Sequence, residues 1–128
     1  MFFLLKEHNG MNNVGEAVEV VSAAGTTAKL CAAYTSAGAI ASGSAKVEYV
    51  CLEGGLNGKT VAAGGKFLAT PINADMVFET TASGEVAVNK AYQIASDGLS
   101  ITATEATSGT GAIVVAIEGN KVRVKLKA

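Results

Sequence analysis

The chain has 128 residues, a formal charge of −1 and 49 % hydrophobic residues, with aromatics at only 5 % and no Trp. That length holds one domain and no second sizeable core, and the near-neutral charge gives no overall bias toward nucleic acid or an anionic membrane. Ala, Gly, Ser and Thr make up 57 of the 128 residues, so the core must come from Val, Ile, Leu, Phe and Tyr at roughly 25 cal/mol per Å² buried, and such a thin core often gains stability from oligomerisation or from docking on a larger surface.

The first residues, MFFLLKEHNGMNN, have no basic residue ahead of the apolar run Phe2–Leu5. That run is far shorter than the ~7–15 residues of a secretion signal, and no stretch approaches the ~18 apolar residues of a membrane span. The expected location is the cytosol until cell lysis. Phe2, Phe3, Leu4 and Leu5 stand ahead of a polar, glycine-containing hinge over 7–15. Left uncovered they are an aggregation liability. They either fold back as an edge strand of their own domain or reach across to a neighbour. The organisation expected is an N-terminal arm and hinge over 1–15 and a single β-rich domain over 16–128. His8, the only imidazole, falls in that leader, a poor place to hold a catalytic base within reach of a nucleophile.

AVEVV (17–21) reads as a strand. TTAKLCAAYTS (26–36) fits either a short helix, with Leu30, Ala33 and Tyr34 on one face, or a poorly specified strand. SAGAIASGSA (36–45) reads as a mobile loop. KVEYVCLE (46–53) alternates Val47, Tyr49 and Cys51 against Glu48, Val50 and Leu52. Cys31 and Cys51 have no CxxC or Cys/His company. They read as buried thiols outside any disulfide, a single bridge being the alternative in an oxidising compartment.

EGGLNGKT (53–60) imitates a phosphate-binding loop, which needs Gly, four residues, then Gly-Lys-Ser/Thr at a helix start. The position of the first glycine holds Glu53, whose carboxylate repels a phosphate, and Gly64, Gly65 and Pro71 interrupt the helix that should follow. Gly54, Gly55 and Gly58 are better read as turn residues joining two strands, with Lys59 solvated.

DMVFETT (75–81) alternates again, and AYQIAS (91–96) and LSITATEA (99–106) are joined by Ser96-Asp97-Gly98, a hairpin turn that wants a positive φ. AIVVAIE (112–118) reads as a strand buried on both faces. In KVRVKLKA (121–128), Val122, Val124 and Leu126 point one way and Lys121, Arg123, Lys125 and Lys127 the other. Residues 119–128 carry +4 and the remainder −5. The structural reading is a solvated face whose lysines guard an edge strand. The functional readings are a docking edge for an acidic protein partner or, through phosphates, for nucleic acid; the aromatics that normally accompany the latter are missing from the tail. No His/Cys/Asp/Glu cluster has metal-ligand spacing. The eleven acids are scattered, and the aromatic walls of a sugar-hydrolysing cleft are lacking. The fold expected is all-β, with room for one short helix: a compact antiparallel sandwich or barrel-like domain with an extended N-terminal arm. No enzyme, cofactor or metal chemistry is expected.

Residues 75–128 resemble the decoration, or cement, proteins of tailed-bacteriophage heads. The likeness runs through Gly84, Lys90-Ala91-Tyr92, Asp97-Gly98, the return strand Ile113–Gly119 and the terminal Val122-Arg123-Val124-Lys125-Leu126, with Asn89 where the family often has glycine. The resemblance implies a virion protein, made in the host cytoplasm, that binds outside an expanded capsid where major capsid subunits meet. It also implies a trimer or other small oligomer, with a mechanical role and neither nucleic acid nor membrane as partner. The contact residues expected are Phe2, Phe3, Leu4, Leu5, Arg123, Lys125 and Lys127. An adhesion module for a host surface or glycan is the alternative from a different class, and a tail-tube or head-fibre part the next.

Overall fold

The structure, a computed structural model of the chain, describes residues 1–6, 17–52, 58–107 and 109–127. Twelve strands follow one another with no helix among the described residues. They are β1 (Phe3–Lys6), β2 (Val18–Val21), β3 (Thr27–Ala28), β4 (Ala33–Tyr34), β5 (Tyr49–Cys51), β6 (Lys59–Thr60), β7 (Lys66–Pro71), β8 (Val77–Thr81), β9 (Ala91–Ile94), β10 (Ile101–Glu105), β11 (Ala112–Glu118) and β12 (Lys121–Lys125). The larger sheet has the order β1-β8-β12-β11-β9-β10, a second has β2-β7-β5-β4, and β3 pairs with β6 alone. All named pairings are antiparallel.

The larger sheet curls on itself. Ala82, one residue past β8, makes a parallel bridge to Ile101 at the start of β10, and the Ser83 N–H donates to the Ile101 carbonyl at 3.1 Å. The outer edge of β8 is therefore shared, with β1 along Val77–Glu79 and β10 at Ala82. Inside the curl, Phe78, Ile94, Ile101, Val114, Val122 and Val124 are each at most 3 % exposed, as period-2 alternation requires of a sheet with one covered face. A second core lies against the smaller sheet, where Val20, Tyr34, Cys51, Val61 and Phe67 pack together. The Tyr34 and Phe67 rings stand 4.7 Å apart and tilted by 49°, a geometry worth ~0.5–1.5 kcal/mol beyond area burial.

The all-β reading holds, and so does the 96–98 turn. Gly98 takes φ +72°, its N–H donates to the Ala95 carbonyl at 2.9 Å, and β9 pairs with β10. The two sides of β12 alternate as expected, with Val122, Val124 and Leu126 buried. The helical option over 26–36 is not taken. That stretch forms β3 and β4 around Cys31, which sits at φ 59° where the pairing bulges: its N–H donates to the Cys51 carbonyl, while the Cys51 N–H donates to the Ala32 carbonyl. No disulfide joins Cys31 and Cys51.

Four expectations need correction. The stretch 36–45 is not a slack loop: Ile40 bridges to Tyr34, and Gly43 exchanges hydrogen bonds of 2.8 and 2.9 Å with Ile94, tying the two sheets together. In 46–53, Val47 joins Val50 in the main core, whereas Tyr49 and Cys51 face the second; β5 lies between two cores, so strict alternation does not apply. β11 is covered on one face only. Ala112 and Val114 are buried, Ile117 is 42 % exposed, and the pairing slips between Val114 and Ala116. Finally, β12 lies between β8 and β11, so its lysines guard no edge. β7, which the sequence does not announce, is the central strand beside β2 and β5, with Pro71 tolerated as its last residue.

Candidate functional site

The arm folds back. Phe2 is 1 % exposed and belongs to the main core, its N–H donating to the Cys31 carbonyl at 2.9 Å. The Met1 amine donates to the Leu99 carbonyl. Leu4 lies opposite Phe78 and packs against the same core, whereas Phe3 lies opposite Glu79 and is 52 % exposed. Leu5, where the pairing slips between Leu4 and Lys6, is partly buried. Phe2 is thus corrected from contact residue to core plug, because its position is filled from within its own domain; Phe3 keeps its side chain in solvent. The hinge residues 7–15, and His8 with them, lie outside the described residues.

Register then assembles the outer face. Phe3 faces Glu79, Glu79 faces Arg123, and Arg123 faces Ala116, so one cross-strand row runs over β1, β8, β12 and β11. The next row sets Thr81 beside Lys121 and Lys121 beside Glu118. The apolar arm and the basic terminal strand, more than a hundred positions apart in the sequence, meet with only β8 between them. Met1, Phe3, Glu79, Thr81 and Lys121 line a shallow depression there.

The charges on this face are largely matched. Lys121 Nζ lies 3.6 Å from a Glu79 oxygen and Arg123 Nη2 3.4 Å from a Glu118 oxygen, while Lys127 pairs with Glu48 at 3.2 Å. Such exposed pairs contribute about 0–1 kcal/mol each. No carboxylate of a described residue pairs with Lys125. Arg123 Nε is shielded from solvent without a hydrogen-bond partner, a cost of about 1–3 kcal/mol to the fold. The sequence reading missed Glu79 and Glu118. Alternation in DMVFETT already places Glu79 outward, but only the register of β8 against β12 reveals that it meets a cation.

Other chemistry is sparse. Among the described residues no three His, Cys, Asp or Glu side chains gather. Burial pushes the Cys31 thiol above its ordinary range, which keeps it protonated. At the false phosphate loop, Gly58 has φ +78° and Lys59-Thr60 forms β6 against Thr27-Ala28 rather than opening a helix; Glu53, Gly54 and Gly55 lie outside the described residues. Compared with protein-family models, curated proteins and solved structures, the chain matches none.

Proposed function

We propose that this protein is a non-enzymatic component of a phage particle that binds the outside of an assembled capsid and stabilises it by bridging neighbouring subunits of the major capsid protein. The observation that carries the reading is the outer row Phe3, Glu79, Arg123: an exposed aromatic on an edge strand, continuous with a band of cations and acids on a sheet face. Aromatic and Arg side chains are the residue types that anchor protein interfaces. β1 is the end strand of its sheet, so a partner strand laid along it gains backbone hydrogen bonds in a fixed register. Many copies bridging seams add buried area where internal pressure pulls subunits apart, and no reactive group is needed for that.

The test is co-sedimentation of the purified protein with expanded capsids that lack it. The expected result is saturation at a stoichiometry set by lattice positions, with Phe3→Ala reducing affinity at least tenfold while changing stability by no more than about 0.5 kcal/mol. No binding to capsids, together with retention on host cells or glycans, would replace this reading with that of an adhesion module.

A further inference from the structure

Six large apolar side chains stand most exposed among the described residues, and three of them, Val21, Leu52 and Leu68, are neighbours on one face of the smaller sheet. Register places Glu19 opposite Leu68 and Val21 opposite Lys66, and the Leu52 N–H donates to the Leu68 carbonyl. Four of these positions form a two-by-two square, about 4.8 Å across the strands and about 6.8 Å along them. Val21 and Leu68 occupy one diagonal; Glu19 and Lys66 occupy the other. The two charged side chains are 64 % and 63 % exposed and lie 3.4 Å apart.

We infer that this square is the contact through which two copies of the chain associate face to face about a two-fold axis. A two-fold laid along the Val21–Leu68 diagonal sets Val21 on its counterpart and Leu68 on its counterpart. Because the sides are unequal, the same operation carries each of the other two corners to within about 3 Å of its opposite, inside the reach of the long side chains, so Glu19 of each copy meets the partner copy's lysine at position 66, twice per dimer. Isologous contacts require such self-complementarity. With two charges of one sign at these corners, or with the charges on the axis itself, the operation would set like on like. Leu52 extends the apolar area beside Leu68. At its Val21 end the β2 edge is covered, because Gly38 abuts the Val21 carbonyl there. This contact is independent of the capsid reading, since it forms between free copies.

Sedimentation equilibrium over a concentration series, without capsids, tests it. The wild-type chain is expected to rise toward twice the monomer mass. Glu19→Lys or Lys66→Glu alone, which sets like charges together at both corners, is expected to weaken association tenfold or more. The double variant Glu19→Lys/Lys66→Glu restores the complementarity and is expected to return to within a few-fold of wild type. Leu68→Asp should remain monomeric with an unchanged circular-dichroism spectrum. A wild-type chain that stays monomeric throughout the series, or a double variant no better than either single one, overturns the proposal.

Discussion

Two residues show how single positions set local order. Gly38 holds φ +79°, and a Cβ added to it would fall 2.0 Å from the Val21 carbonyl oxygen. The left-handed conformation alone costs an L-residue about 1–2 kcal/mol, and a backbone clash must be relieved on top. Gly38→Ala is expected to lose more than that in denaturant titrations. Tyr34 is fully buried; its hydroxyl donates to the Thr27 carbonyl and accepts from the Lys29 N–H at 2.9 Å, clamping the short β3. Burial pushes its pKa up from 10.0 to about 12. The fold therefore favours the neutral phenol, and that stabilisation is complete below pH 10 and lost as pH rises through about 12. Tyr34→Phe should cost about 1–3 kcal/mol at neutral pH, because two backbone groups lose their partner. It should also flatten the alkaline fall in denaturation midpoint between pH 10 and 12.

At the level of elements, the start of β1 sets a buried and an exposed aromatic at adjacent residues, Phe2 and Phe3. Phe2→Ala is expected to destabilise by about 3–5 kcal/mol, whereas Phe3→Ala should stay within about 0.5 kcal/mol by thermal melts and, on the proposed function, lower capsid affinity. Deleting residues 1–6 removes both and so confounds folding with docking. Arg123→Met offers the converse separation: it removes a shielded, unpartnered N–H and should leave stability equal or raised by about 1 kcal/mol, while capsid affinity falls. Strand composition was legible wherever alternation faced a single core, as in β8, β9 and β12. It was not legible in β5, which serves two cores, nor in β7, where Leu68 points to solvent and the preceding glycines obscure the start. The chain over 36–45 reads as slack because its anchors are backbone hydrogen bonds to Ile94 and Tyr34, which side-chain identity does not encode. For the candidate site, the alternation of Lys121–Lys127 and the apolar arm were both visible; that they share a face was not, since strand order is a long-range property.

Across the whole molecule, the two cores meet through β5 and the 33–43 crossing, which contribute side chains to both. This coupling predicts one cooperative unfolding transition, with circular dichroism and tyrosine fluorescence coincident; two separated transitions would show that the smaller sheet melts alone. Hydrogen exchange should be slowest along Phe78, Val124 and Val114, which sit in one buried row of the larger sheet. The curl of that sheet, by contrast, is fastened among the described residues by few bonds: the Ala82–Ile101 bridge, the Ser83 hydrogen bond, and the Met1 amine and Thr80 hydroxyl on the Leu99 carbonyl. A force drawn across that fastening meets these few bonds one after another, like a zip. A force drawn lengthwise on β11 and β12 has to shear every rung of their ladder at once. How much tension the molecule bears before giving way thus depends less on its overall stability than on the direction in which it is pulled.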